Sequence, residues 1–355
     1  VTDPIEPAWR IPDGAGRELG IGIVGAGDIV RRCHLPAYTA AGLRVVAVTD
    51  ADPARARALA DDVGIPTVAP DAEALVTTPG VAIVDIAVPP AFQPEIVSLA
   101  AAAGRHLLCQ KPFALDIDAA RAMVELAARS GVAIAVNQQL RWSAGIRASR
   151  DLILRGAIGR PTGARITISG GSDWSPWPWL RSVRRLETMV HGIHYLDAIR
   201  SILGDPERVT AVHGRAPGRT DIAGETRTTT ILEHADGSQA VLVVDTDDPH
   251  GPPVGELRFT GTEGTLAGTI GLVFDRPDTL ALHVAGEAPA AYAFDTRWFP
   301  DAFLGPMADL MDAVATGREP ETSGRDNLHT LAVVLAAYRS ADERRSVPLA
   351  EILSA

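Results

Sequence analysis

Ile21-Gly22-Ile23-Val24-Gly25-Ala26-Gly27-Asp28-Ile29-Val30 is the stretch on which the fold turns. A short apolar run leads directly into two glycines and then into a helical stretch over Ile29–Ala41, the strand, turn and helix order that a dinucleotide-binding fingerprint requires. Gly25 suits the tight turn. Gly27 lets the backbone amides at the helix start, those of Asp28 and Ile29 among them, approach a pyrophosphate, and the helix dipole favours negative charge there. Val30 takes the third fingerprint position, usually glycine, so helix and strand are expected to pack slightly further apart. A glycine-rich turn that binds nothing is the alternative, and the pattern around the turn argues against it.

Outward from that turn, short β-type runs alternate with Ala- and Arg-rich helical segments. The spacing predicts strands at Ile21–Val24, Val45–Val48, Ala82–Ala87, His106–Cys109 and Val132–Val136. Helices are expected at Pro53–Val63, Phe92–Ala103 and Ile117–Arg129 as well as after the glycines. Near-continuous Ile and Val content suits parallel strands buried on both faces. Asp50 ends the second strand, where a carboxylate accepts hydrogen bonds from the adenosine ribose and repels a 2′-phosphate. NAD is therefore expected rather than NADP, with Arg55 and Arg57 pulling the other way. Pro89, after the third strand, is counted with the cofactor-binding residues.

After Val136 the rhythm changes. A helix over Ala144–Arg155 is followed by alternating segments at Thr162–Ser169, Val209–His213, Thr226–His234, Ser238–Asp245, Glu256–Gly261 and Ala281–Val284, divided by turn pairs such as Asp236-Gly237. These read as an open, mainly antiparallel sheet, with helices at Val190–Leu203, Pro306–Thr316 and Arg325–Arg344. The fold class is α/β plus α+β. Residues 1–18 are expected as an extended arm, 19–140 as a Rossmann domain, and 141–355 as a second domain for substrate and oligomerisation, whose final helices can return to the first.

A length of 355 residues with 46% hydrophobic and 22% charged residues fits two folded domains. The net charge of −11 and the lack of a Lys/Arg cluster argue against nucleic acid. The opening residues hold no apolar run of signal-peptide or membrane-span type. Two cysteines, Cys33 and Cys109, support no disulfide framework, and a cytoplasmic setting is expected.

Lys111 stands in Gln110-Lys111-Pro112-Phe113, at the end of the predicted strand His106–Cys109, and ligands bind at strand carboxyl ends in open α/β sheets. An ammonium there can hydrogen-bond a substrate oxygen and stabilise alkoxide character as hydride departs. A lysine merely snorkelling from a strand end is the alternative.

These residues, taken together, resemble the family of glucose-fructose oxidoreductase and inositol 2-dehydrogenase (Gfo/Idh/MocA), over nearly the whole chain. The resemblance rests on Gly25-Ala26-Gly27 with His34-Leu35-Pro36-Ala37, on Lys111-Pro112, on Asn137 with Arg141, and on Gly192-Ile193-His194-Tyr195-Leu196-Asp197. It implies oxidation or reduction of a sugar, polyol or sugar acid with NAD, in a homodimer or homotetramer. Lys111 then matches the family lysine and His194 its proton acceptor or donor, while Asn137 joins the cofactor residues. Two positions depart. Gln110 replaces the usual Glu, and Val190 stands where many members carry a catalytic Asp, so proton transfer must be organised differently or be slower.

If Val190–Leu203 is helical, Glu187, His191 and His194 can share one face. His194 is then the expected general base, with His191 or Glu187 in support. A structural or substrate-contacting His191, and a Glu187 that answers the helix dipole, are the plainer readings. A metal held by these three lacks a fourth ligand and is not expected.

Trp174 and Trp177 with Asp173 and Arg181 make a candidate sugar wall, against the reading that the indoles cover the sheet or a subunit contact. Gln138 and Arg141 are expected to line the substrate crevice, Arg141 as a partner for a carboxylate. Two other function classes remain open from sequence: a redox-assisted glycosidase that retains NAD, and a non-catalytic NAD-binding sensor.

Overall fold

The computed structural model describes residues 5–172, 174–175, 177–248, 250–271 and 276–354. The chain divides into two compact units: one comprises residues 11–139 and 300–328, the other 1–10, 140–299 and 329–355.

The first unit is built on six parallel strands: β1 Gly20–Val24, β2 Val45–Thr49, β3 Thr67–Val68, β4 Val81–Ile86, β5 His106–Gln110 and β6 Ile134–Asn137. They lie in the order β3-β2-β1-β4-β5-β6. Order reverses between β1 and β4, the place where open sheets of this kind bind ligands beyond their carboxyl ends. Ile21, Ile23, Val84, Leu107 and Leu108 are fully buried, as a sheet covered on both faces demands.

The helices of this unit are α1 Leu35–Ala40, α2 Pro53–Val63, α3 Ala72–Thr77, α4 Gln93–Ala102 and α5 Ile117–Arg129. Asp52 and Asp116 cap α2 and α5 by accepting from Ala54 N and Ala119 N, and Gly64, at φ +77°, ends α2. These caps explain why both helices have the limits the sequence predicts. The expected helix Ile29–Ala41 is present as a continuous helical run over residues 28–40, whose middle part, Val30–His34, is a wide π turn leading into α1. β3 and α3 escaped sequence reading because two and six residues are too short to show a period. Helix Leu304–Thr316 packs on β5 and β6, and Thr322 O accepts from Val136 N at 2.8 Å.

Among the described residues the second unit holds nine strands: β7 Pro161–Ser169, β8 Arg208–Gly214, β9 Arg227–Glu233, β10 Gln239–Asp245, β11 Val254–Gly261, β12 Gly264–Thr269, β13 Thr279–Val284, β14 Ala290–Ala293 and β15 Val347–Pro348. Their order is β14-β13-β12-β11-β7-β10-β9-β8-β15, and only the β7–β10 pair is parallel. The sheet is thus mixed and mainly antiparallel. Alternation is clear in β10, where Ala240, Leu242 and Val244 are buried and Val241 and Val243 face the other way. Helix α6 Ala144–Leu154 lies against β12 and β13, and α7 Ile193–Leu203 against β7 and β10. Strands β12, β14 and β15 were not legible. β12 carries glycines because a neighbour comes too close: a Cβ on Gly268 would sit 1.9 Å from Thr279 O. Among the described residues no helix is long and apolar enough to cross a membrane.

Candidate active site

β1 ends in Gly25, whose φ of +107° and whose approach to Ala87 O, 2.5 Å from where a Cβ would stand, admit no other residue without strain. At Gly27 the opposite holds. A Cβ there would meet nothing within 4 Å. Arg31 N closes the first helical hydrogen bond on Gly27 O at 3.1 Å, so the amides of Asp28, Ile29 and Val30 precede it and look outward, as helix-start amides do. Asp50 is fixed beside them: Oδ2 accepts from Ala26 N at 2.7 Å and Oδ1 from Asp52 N at 2.8 Å, with Arg55 3.8 Å away. Each oxygen keeps a lone pair for a ribose hydroxyl. Asp28 is half-buried beside Arg32, Ile29 is half-buried, and Pro89 is exposed just before the turn Pro90–Phe92. The open space at Gly27 and the anchored carboxylate at Asp50 fit a dinucleotide.

Two glutamine amides hold the backbone around Lys111. Gln93 Nε2 donates to Gln110 O at 2.8 Å and to Pro112 O at 2.9 Å, while Gln110 Oε1 accepts from Lys111 N at 2.8 Å. The Lys111-Pro112 bond is cis. The other end of Gln110, Nε2, lies 3.1 Å from His34 Nε2, and His34 Nδ1 lies 2.7 Å from Asp85 Oδ2. With Oε1 occupied by a donor, Nε2 of Gln110 must donate, so His34 accepts at Nε2 and gives its Nδ1 proton to Asp85. A carboxylate at 110 would keep the bond to Lys111 but lose the donor toward His34. That accounts for glutamine at this position. Tyr38 OH also donates to Asp85, at 2.8 Å, and burial together with the Asp85 charge holds its phenol well above the usual range. Asn137 Nδ2 reaches the same His34 Nε2 at 3.2 Å.

At the end of β6 and just beyond it, Asn137 Oδ1 and both amide atoms of Gln138 are buried and, among the described residues, unpartnered. Buried polar atoms left open in this way can be completed by a ligand or by ordered water. Both residues stand at the carboxyl end of the same parallel sheet as Lys111 and Gly25. Gln93 and Asp85 went unnoticed in the sequence; lone polar residues at a helix start and in a strand give no periodic signal.

In the second unit the turn before α7 carries His191, and the first turn of α7 carries His194. The former too is a wide π turn, Thr188–Gly192, so the expected helix start at Val190 falls inside it. Glu225 clamps the turn from outside, accepting from Leu186 N and Thr188 N at 3.1 Å and from Tyr338 OH. Burial and the Glu225 charge push the Tyr338 phenol up. Glu187 is fully buried; Oε1 lies 3.0 Å from His191 Nδ1 and Oε2 accepts from Thr246 Oγ1 at 2.6 Å. Trp174 stacks on the His191 ring at 5.0 Å and 25°. His194 is buried, edge-on to Trp298 at 5.3 Å. The structure thus joins Glu187 to His191.

Several expected substrate contacts have other occupations. Arg141 is buried in a bidentate pair with Asp197, at 2.6 and 2.7 Å, and Thr330 Oγ1 donates to the same carboxylate. The carboxylate Arg141 holds is the chain's own. Trp174 and Trp177 pack with Leu180, Leu186 and Ile222 in an apolar cluster that also receives Val183 and Val190. The indoles pack among the apolar side chains around the turn rather than on the sheet, and Val190 serves that packing where an Asp could not. Arg181 is exposed and its carbonyl accepts from Ala223 N. Asp173 lies outside the described residues. Among the described residues no three or more His, Cys, Asp or Glu side chains converge to hold a metal ion.

An open α/β sheet with a glycine turn that leaves room for a pyrophosphate, coupled in sequence to a large mixed sheet, defines a nicotinamide-dependent oxidoreductase. The family model "Oxidoreductase family, NAD-binding Rossmann fold" matches residues 19–138, and the "GFO/IDH/MocA C-terminal domain" model matches residues 146–267. A D-apiose dehydrogenase from Paraburkholderia graminis is 35% identical over 92% of this chain and 88% of its own length. An inositol 2-dehydrogenase from Rhizobium meliloti is 28% identical over 93% of this chain and 98% of its own. Among solved structures, an oxidoreductase from Agrobacterium radiobacter in complex with NAD+, L-tartaric acid and magnesium is similar with a TM-score of 0.83 and 30% identity, covering 94% of this chain and 99% of that one. The chain belongs to the Gfo/Idh/MocA family of oxidoreductases.

Proposed function

We propose that the protein is an NAD-dependent dehydrogenase acting on a CH–OH group of a sugar, polyol or sugar acid. The carrying observation is the carboxyl edge of the parallel sheet, where the open space at Gly27, the anchored Asp50, the held backbone of Lys111 and the unpartnered amide of Gln138 follow β1, β2, β5 and β6. Gly25, Gly27, Asp28, Ile29, Asp50, Pro89 and Asn137 are the residues we assign to the dinucleotide. A bound nicotinamide supplies the acceptor for hydride. Lys111 stabilises the developing alkoxide, and the proton is taken within the segment 187–194, where His194 holds the family's position and Glu187 and His191 support it. The relatives reported above are named dehydrogenases, which favours net oxidation over redox-assisted glycoside cleavage or a silent sensor. An NADH-formation screen over aldoses, inositols and sugar acids tests this; released sugar with flat NADH absorbance would favour the glycosidase.

The same reading places the enzyme in the cytoplasm as a homodimer or homotetramer. Two buried free thiols suit a reducing compartment, with burial pushing Cys33 up to about 12 and Cys109 further. For assembly, the support is the outer face of the mixed sheet. Across β10, β9 and β8, Val241 pairs with Ile231, which pairs with Thr210, and Val243 pairs with Thr229, which pairs with Val212, a residue 70% exposed. Light scattering on the purified chain is expected to give a dimer or tetramer, and Val243→Asp to shift it toward monomer; a monomeric wild type would contradict the assembly.

A further inference from the structure

The family's catalytic carboxylate and imidazole would stand four residues apart, at 190 and 194. In this chain that spacing is filled one helical turn earlier, by Glu187 and His191, whose side chains are in contact at 3.0 Å. We propose that Glu187 and His191 form the acid–base dyad of the reaction, with His191 Nε2 as the proton acceptor and His194 as a hydrogen-bonding wall. The inference rests on the dehydrogenase reading and moves its acceptor by one turn.

Three features single out His191. Its Nδ1 is fixed by a carboxylate that is itself fully buried and held on its other oxygen by Thr246, so the ring carries its proton on Nδ1 and presents the Nε2 lone pair. Among the described residues Nε2 makes no hydrogen bond, and the side chain is 34% exposed, so a proton gained there can pass on to water. The Trp174 face lies parallel to the ring, and an indole face attracts an imidazolium as it attracts other cations. His194, by contrast, is 3% exposed. Val190 has joined the apolar cluster of Trp174, Leu180, Leu186 and Ile222, so the carboxylate that would have served His194 is gone.

The balance is that of alcohol oxidation. The substrate C–H bond breaks and its electron pair leaves as hydride to the nicotinamide. The O–H bond breaks, its proton passes to His191 Nε2, and the C=O bond forms. The imidazolium, stabilised by Glu187, then releases that proton to water.

The test combines a spectrum with kinetics. In enzyme labelled with 15N-histidine and free of substrate, His191 is expected as the Nδ1–H tautomer, and Glu187→Gln is expected to lose that preference. His191→Ala is expected to lower kcat about 100-fold, within the usual range for losing a general base, with NAD+ affinity unchanged and the melting temperature lowered because buried Glu187 loses its partner. Added imidazole is expected to restore at least about tenfold of that loss, and to restore nothing in His194→Ala. An Nε2–H tautomer at His191, a wild-type rate in His191→Ala, or imidazole rescue of His194→Ala alone would each overturn the dyad. A wild type inactive over the whole substrate panel would refute the dehydrogenase reading instead, while the tautomer still decides the pairing.

Discussion

Lys111→Ala is expected to lower kcat/KM by about 10³-fold, equivalent to roughly 4 kcal/mol of transition-state stabilisation, with the fold intact. The expectation follows from how this residue is placed. Its backbone is held by Gln93 on both flanking carbonyls and by Gln110 on its own amide, and Gln110 is in turn set by His34 and Asp85. A side chain carried on so determined a segment meets a developing alkoxide without reorganising, which is where a fixed cation contributes most. Removing the ammonium leaves that hydrogen-bond network untouched, so melting temperature is expected to stay near wild type. Arginine is not expected to restore the rate, since its planar fork places charge differently from an ammonium. Steady-state kinetics with a substrate from the NADH screen checks the prediction; a wild-type kcat/KM in Lys111→Ala would remove lysine from the chemistry.

Arg141→Met is expected to destabilise the second unit by about 3–5 kcal/mol, the usual cost of leaving one member of a buried ion pair without its partner. Asp197 is fully buried, and its remaining donor, Thr330, cannot neutralise it. Combining Arg141→Met with Asp197→Leu is expected to recover most of the loss, because no charge is then left in the interior. Chemical denaturation of both variants measures this. A single variant as stable as wild type would mean that Arg141 does not hold the core, and would return it to the substrate crevice.

Much of this architecture was legible because periodicity and punctuation agreed. Helices α2 and α5 begin at Asp caps and were placed to the residue, and the parallel strands showed as Ile and Val runs. What stayed hidden was short or non-local. β3 and β15 have two residues each, and β12 has the glycines that close strand approach demands. In the site, the four-residue spacing of Glu187 and His191 was readable on a helical wheel, and the structure brings them into contact. The pairing of Arg141 with Asp197, 56 positions apart, was not, because sequence shows a guanidinium but not which carboxylate the fold brings to it. Nor was the linkage of Gln110 to His34, 76 positions away, which turns an apparent loss of the family's Glu into a matched pair. The tryptophans mislead for a similar reason: clustered indoles signal a surface worth covering, without saying whether a ligand or the chain's own turn covers it.

The most direct measurement is calorimetric titration of NAD+ into the wild type and into Gly27→Ala, alongside their melting curves. A methyl at Gly27 meets no protein atom within 4 Å, so the fold is expected to be unchanged. The same methyl would occupy the space into which the turn admits a pyrophosphate, so affinity is expected to fall about 100-fold, or roughly 2.8 kcal/mol. Equal affinity in the two proteins, or no binding to the wild type, would contradict the assignment of this turn as the dinucleotide seat.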